Sequence, residues 1–353
     1  MRSPGRIDPG PNIEGRIIPG VELSGRVAFP AAGRPPTLVI GSGFLGSHIV
    51  RSLVDQGNPV RVLTRRMPAG PSERLTRGAE FVIGDAGVTA TIACALEDVD
   101  HVVFALSSLM PGEAEQEPQL DLSLILQPLL ELLDQLGHSP SRLLTFLSSG
   151  GTVYGRTDVF PTPEDAPTAP LSAYGITRLT AERFVLRHGA LHAVPVRILR
   201  VANAYGPGQT GARGQGIIGT TLEHCLSGKP VTVFGDGRIS RDFVHVEEIG
   251  YATASLVNLN TGPEIVNIGS GTDASLSEIQ MMTQEITGRP LAIRREPGRD
   301  FDVPRVQLDI RVLQSLIDFR PRDLREGITS TWRDLQARQH GRTGQTSDLP
   351  NVS

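Results

Sequence analysis

The chain has 353 residues, 39% of them hydrophobic, enough to bury one large core or two smaller ones. A net charge of -4 and a pI near 6.1 give no basic field for nucleic acid or anionic lipid, so neither is expected as a partner. Cys94 and Cys225 lack metal-ligand spacing and no apolar run nears the roughly 18–20 residues that cross a bilayer, which argues against a disulfide scaffold, a zinc site and a membrane span.

Arg2 and Arg6 are followed by no hydrophobic stretch, so no secretory signal is read and a cytoplasmic location is expected. Residues 1–36 are a compositional class of their own. Gly5-Arg6-Ile7, Gly15-Arg16-Ile17 and Gly25-Arg26-Val27 recur at a spacing of ten, with Pro9-Gly10 and Pro19-Gly20 between them. Glycine and proline at this density predict a disordered leader, with a short partner-docking repeat as the alternative.

From Thr37 the pattern changes. Thr37–Ile40 reads as a buried parallel strand, followed by a glycine loop and a helix through Ser47–Asp55 that stops at Gly57. Val60–Leu63, Glu80–Ile83 and His101–Phe104 are the next strands. Leu120–Leu136 has helical apolar spacing, with a turn or kink expected at Pro128. Leu143–Leu147 is a fifth strand, Ala173–His188 a helix and Val196–Leu199 a further strand. This alternation predicts an α/β fold, a doubly wound parallel sheet of Rossmann type covered on both faces. Past about Val201 the rhythm loosens, with helices at Ile217–Leu226 and Leu276–Ile286 and short strands near Val231–Phe234 and Glu264–Ile268. We therefore expect a dinucleotide-binding domain over 37–200. A smaller C-terminal region over 201–336 would interleave with it, and a polar, disordered tail would follow over 337–353.

Gly41-Ser42-Gly43-Phe44-Leu45-Gly46 lies between the first strand and its helix. Gly41 permits a tight turn, Gly43 lets backbone approach a pyrophosphate, Gly46 lets helix pack on strand, and the helix N-terminus supplies N–H donors. At the end of the second strand, where a carboxylate would grip the ribose of NAD, stand Thr64, Arg65 and Arg66. Two guanidinium groups suit a 2′-phosphate, so NADP is expected ahead of NAD, unless both arginines face solvent. Downstream follow Ser148-Ser149-Gly150-Gly151-Thr152-Val153-Tyr154-Gly155 and then Tyr174-Gly175-Ile176-Thr177-Arg178.

In this order and at these distances the three motifs resemble the extended short-chain dehydrogenase/reductase family, the nucleotide-sugar epimerases and dehydratases. The resemblance spans roughly Thr37 to Arg333. It implies a nicotinamide cofactor on Gly41 to Gly46, with Asp85 meeting the adenine and the backbone near Ala105 passing the ribose. For Asp85 a plain turn role is the alternative. It implies that Tyr174 takes a proton from a sugar hydroxyl. A phenol has a pKa near 10, so a nearby cation is needed. The family's Tyr-x-x-x-Lys is here Tyr-x-x-x-Arg, and Arg178 keeps the charge in a larger, planar form. The family's catalytic serine or threonine falls on Gly150, which leaves Ser149 and Thr152 as candidate hydroxyls, with capping of the strand end as the alternative. Asn203 and Arg241 correspond to substrate contacts, with a second cation from Arg294, Arg295 or Arg299; Asp242 and His245 are read as structural. The expected activity is 4-epimerisation of a UDP-hexose. The alternatives are an NADPH-dependent reductase of a 4-keto sugar nucleotide and a cofactor-binding protein impaired in catalysis. A homodimer through Leu120–Leu136 and Ala173–His188 is expected by the same analogy.

Overall fold

The computed structural model describes residues 22–24, 35–107, 109–137, 143–209, 216–259 and 261–345. In chain order the first half contains β1 (Glu22–Ser24), β2 (Thr37–Ile40), α1 (Phe44–Asp55), β3 (Val60–Thr64), α2 (Pro71–Leu75), β4 (Glu80–Ile83), α3 (Thr89–Ala95), β5 (His101–Phe104), α4 (Pro111–Gln116), α5 (Pro118–Gly137), β6 (Leu143–Ser149), α6 (Ala173–His192) and β7 (Val196–Val201). The second half contains β8 (Asn203–Tyr205), α7 (Ile217–Ser227), β9 (Val231–Phe234), β10 (Ser240–Arg241), β11 (Phe243–His245), α8 (Val246–Val257), β12 (Ile265–Ile268), β13 (Ala274–Ser275), α9 (Leu276–Thr287), β14 (Ile293–Glu296), α10 (Arg311–Leu316) and α11 (Leu324–Gln345).

The main sheet runs β1-β4-β3-β2-β5-β6-β7-β12; all neighbours are parallel except β1, which is antiparallel to β4. Seven parallel strands with helices on both faces make the expected Rossmann-type layering. The continuous apolar runs are explained by two-sided burial: Leu38, Val39 and Ile40 of β2 are fully buried. Val39, Val62 and Val103 point into the core shared with α1 and α8, while Leu38, Ile40, Val102 and Phe104 point into the one shared with α3, α5 and α6. A third, smaller core joins Tyr205, Ile218, Leu222, Phe243, Ile279, Ile328 and Trp332 in the C-terminal region.

From beyond α8 the chain returns as β12 to become the outer neighbour of β7. Arg197 of β7 is buried and donates to the carbonyl oxygens of Leu256, in the last turn of α8, and of Leu259 and Thr261 just beyond it. Two expectations are corrected. Within the leader read as disordered, Glu22–Ser24 form a strand in register with Phe81–Ile83, because an unpaired edge accepts any short extended segment; the rest of 1–34 lies outside the described residues. The tail read as disordered from Ala337 remains helical to Gln345, with Arg338 paired to Asp334 one turn back; 346–353 lie outside the described residues. Pro128 sits inside α5 without ending it.

Candidate active site

The carboxyl ends of the parallel strands carry the sequence-predicted residues. Gly41 has φ +103°, and a Cβ there would meet the Ala105 carbonyl oxygen at 3.0 Å; one at Gly46 would meet the Gly41 oxygen at 2.0 Å. Both glycines are therefore demanded by the strand–turn–helix packing itself. Gly43 differs, since a Cβ there would touch only Ser107 Oγ, at 4.0 Å. It is also the N-cap of α1 and provides no side-chain cap. Open space in front of uncapped N–H groups at a helix N-terminus fits a pyrophosphate. Phe44 and Leu45 open the helix, and Ala105 follows β5 beside the loop, its N–H donating to the Ile40 oxygen at 2.9 Å.

Thr64 ends β3, its hydroxyl accepting from Ser42 at 2.9 Å and donating to the Arg66 carbonyl at 3.1 Å. Arg65 and Arg66 are exposed and form no ion pair among the described residues. Asp85 uses Oδ1 to accept from Gly87 N at 2.8 Å, which is the turn role.

At the reacting centre, Ser172 caps α6 by accepting from Gly175 N, which sets Tyr174 in the first turn. Arg178 follows one turn later and is buried, its guanidinium carbon 5.0 Å from the Tyr174 ring centroid. Its donors reach the carbonyls of Leu106 and Leu147 at 3.4–3.5 Å, which seats the cation between the ends of β5 and β6. The Tyr174 hydroxyl makes no hydrogen bond among the described residues and is half-buried. Thr152 packs against this turn: a Cβ at Gly175 would lie 3.2 Å from Thr152 Cβ. Ser149 ends β6 and is half-buried. Asn203 joins the group, its Oδ1 only 2.9 Å from where a Gly151 Cβ would be.

Gly150 is explained by packing. A Cβ there would meet Leu308 Cδ1 at 2.6 Å and the Arg200 carbonyl oxygen at 2.9 Å. A side chain at 150 would therefore press on backbone as well as on Leu308.

Behind the turn lies a polar network that sequence reasoning did not assemble. Ser148 donates to Glu182 Oε1 at 2.5 Å rather than capping its strand. Glu182 pairs with Arg200 at 2.8 Å, both almost wholly buried, and Arg200 stacks on Tyr154 at 4.8 Å. Burial disfavours the Arg200 cation, but the Glu182 carboxylate more than offsets this and raises its pKa. Burial pushes the Tyr154 phenol up to about 12 against the opposing pull of Arg200, and its hydroxyl donates to Asn267. The spacing Tyr174, Arg178, Glu182 was the available signal: polar residues at i, i+4 and i+8 share one face of a buried helix.

The opposite wall holds the arginines. Burial lowers Arg241 to about 10, with Asp302 opposing, so it stays charged at neutral pH. Arg299 makes a two-pronged pair with Asp302, both bonds 2.9 Å, and its guanidinium carbon lies 4.1 Å from the Phe234 ring and 4.9 Å from that of Phe301. Arg294 and Arg295 lie on exposed β14, where Arg294 pairs with Glu296, whereas Arg299 lies near enough to Arg241 for its charge to oppose that cation. Asp242 and His245 are structural. Fully buried Asp242 accepts from Ser270, Gly271 and Leu308. His245 Nδ1 accepts from Glu247 N to cap α8, so the Glu247 carboxylate 3.6 Å away faces a neutral ring.

A glycine loop at the end of β2 that opens onto a helix N-terminus, within a parallel sheet covered on both faces, marks an α/β protein of the dinucleotide-binding class. The chain belongs to the NAD dependent epimerase/dehydratase family, whose sequence profile matches residues 37–269. A Methanocaldococcus jannaschii protein assigned as a UDP-glucose 4-epimerase is 33% identical over 293 residues, 82% of this chain and 94% of its own. The dTDP-4-dehydro-6-deoxy-D-allose reductase of Streptomyces bikiniensis is 28% identical over 86% of this chain and 96% of its own. The crystal structure of Thermotoga maritima UDP-glucose 4-epimerase with UDP-glucose superposes with a TM-score of 0.80 at 28% identity, covering 86% of this chain and 99% of that one. Among the described residues no helix is long and apolar enough to cross a membrane.

Proposed function

We propose that the chain is a nucleotide-sugar 4-epimerase acting on a UDP-hexose. The observation that carries this reading is the placement of Tyr174 and the buried Arg178 at the ends of β5 and β6, beside the open, uncapped N-terminus of α1. Gly41 to Gly46 would hold the cofactor's pyrophosphate, Asp85 the adenine side, and the backbone near Ala105 the ribose. The bound nicotinamide supplies the hydride acceptor for C4 and the donor that returns it, so no external reductant is consumed. Tyr174 accepts the proton of the 4-hydroxyl, and the fixed positive charge of Arg178 stabilises the phenolate. Thr152 or Ser149 hydrogen-bonds the reacting oxygen. Arg241 and Arg299 hold the diphosphate and Asn203 contacts the sugar nucleotide, which frees the 4-keto ring to turn over between two faces. The Gly150 packing removes one argument for an impaired protein.

A cytoplasmic homodimer belongs to this reading. Leu120, Leu122 and Leu130 on α5, together with Ile176, Phe184 and Leu191 on α6, are apolar and exposed, which supports a contact through these two helices. A second reading, an NADPH-dependent reductase of a 4-keto sugar nucleotide, is favoured by Thr64, Arg65 and Arg66, and the same residues favour NADP over NAD. The decisive experiment is to incubate the purified protein and its retained nicotinamide with a UDP-sugar panel, without added reductant. An epimeric mixture supports the first reading. Stoichiometric loss of NADPH absorbance with a 4-keto substrate supports the second. Replacing Arg65 and Arg66 by alanine should weaken NADP about tenfold or more and leave NAD unchanged; equal loss for both cofactors would discard the 2′-phosphate role.

A further inference from the structure

The short helix α4 lies between the two halves of the site. At its C-terminal end, Glu115 Oε1 accepts from Ala173 N at 2.5 Å. Ala173 is the first residue of α6, directly before Tyr174, and its N–H is one of the helix's otherwise orphaned donors. At the other end of α4, a Cβ on Gly112 would lie 3.6 Å from Arg299 Nη1. The other two donor nitrogens of Arg299, Nε and Nη2, are committed to Asp302. Ala114 is fully buried between these ends, and α4 closes its own N-terminus through Met110 N and Glu113. One and a half turns of helix thus connect the arginine on one wall to the tyrosine on the other.

We propose that α4 is a strap that fixes the first turn of the tyrosine helix, with Glu115 as its positioning residue, and that a diphosphate on Arg299 tightens it. Glu115 touches neither reacting atoms nor substrate in this arrangement. It acts by satisfying Ala173 N with a charged acceptor at the positive end of α6, which limits fraying of the turn that holds Tyr174. Gly112 leaves Arg299 Nη1 beside the α4 backbone, so an anion held there meets the strap as well as the guanidinium. This inference rests on the diphosphate and tyrosine roles proposed above.

Glu115 is exposed, so its replacement tests positioning without threatening the fold. Hydrogen exchange at amides 173–177 would be followed in wild type, Glu115→Ala and Glu115→Gln, each with and without UDP as the probe. Turnover on the UDP-sugar panel would be measured alongside. We expect exchange at 173–177 to rise several-fold in Glu115→Ala and to be largely restored in Glu115→Gln, with UDP slowing exchange across 111–116 in wild type. Turnover should fall three- to tenfold in Glu115→Ala at unchanged KM and unchanged Tm. Unchanged exchange in Glu115→Ala, unchanged turnover despite faster exchange, or no UDP protection at 111–116 would each overturn the strap. A wild type silent on the whole sugar panel would instead count against the epimerase reading, and the exchange comparison would still decide the strap.

Discussion

Gly150→Ser restores the residue that the family's pattern places at the reacting centre, and the packing forecasts damage rather than gain. The new Cβ would sit 2.6 Å from Leu308 Cδ1 and 2.9 Å from the Arg200 carbonyl oxygen, where ordinary contact begins near 3.4 Å. Leu308 can swing its methyl aside; the Arg200 carbonyl belongs to β7, which is hydrogen-bonded to a strand on each side and can yield only by moving the sheet. Overpacking of this kind costs about 1–3 kcal/mol. Taking the roughly 300 described residues, with an unfolding entropy near 0.6 kcal/mol/K, that is a fall of roughly 2–5 °C in Tm. Leu308→Ala alone opens a cavity costing about 2–5 kcal/mol. The double variant should be less destabilised than the sum by about 1 kcal/mol, because only the Leu308 part of the clash is relieved. Thermal unfolding of the four proteins gives the coupling, and turnover should not rise in either serine variant. A Gly150→Ser protein of wild-type Tm and higher kcat would refute the packing argument and show that position 150 lacks a catalytic hydroxyl.

Arg178→Met keeps much of the side-chain volume and removes the charge, so kcat should drop by about 100-fold or more while UDP affinity, read by calorimetry, is unchanged. Thr152→Ala should lower kcat about tenfold, and more than Ser149→Ala, because the Thr152 side chain is the one that packs on the first turn of α6, through its Cβ; the reverse order would transfer the role to Ser149. His245 is held neutral, its pKa lowered to about 3 by burial first and by the charges of Arg322 and His48. Its unfolded value is near 6.5, so the unfolded chain binds the extra proton between those values and stability falls as pH drops through that window. About 2–3 kcal/mol should be lost between pH 7 and pH 4.5 from this group. Urea unfolding of His245→Asn, which keeps a capping acceptor that does not titrate, should show a shallower acid limb; parallel limbs in the two proteins would exclude His245 as the source.

The fold was legible wherever burial is two-sided. Thr37–Ile40, Glu80–Ile83 and His101–Phe104 were bounded correctly because a strand covered on both faces must be apolar throughout. Helix α8 was not legible: Phe243-Val-His-Val continues like a strand, and its cap is a histidine whose acceptor role depends on burial by Tyr205 and its neighbours. The last part of α11, from Ala337, was read as disordered because its composition turns polar, although the helix continues to Gln345. In the candidate site, the residues from Gly41 to Arg178 could be nominated because local motifs carry them. What escaped was tertiary: that Leu308 fills the space at Gly150, that Glu182 ties Ser148 to Arg200, and that Glu115 meets Ala173. None of these pairs has a spacing that composition or periodicity can reveal.

The return of β12 to the outer side of β7 also sets an order of events in time. A ribosome completes β2 to β7, most of the nucleotide-binding half, before it has made any of residues 203–264. Until residues 256–268 arrive, β7 presents a bare strand edge, and Arg197 stands in water without the acceptors at Leu256, Leu259 and Thr261 that accompany its burial in the finished fold. The nascent chain therefore carries an adhesive edge beside a cation still to be desolvated, and both are resolved by one late segment. Cutting the chain at residue 200 to obtain a free nucleotide-binding domain would make that interval permanent.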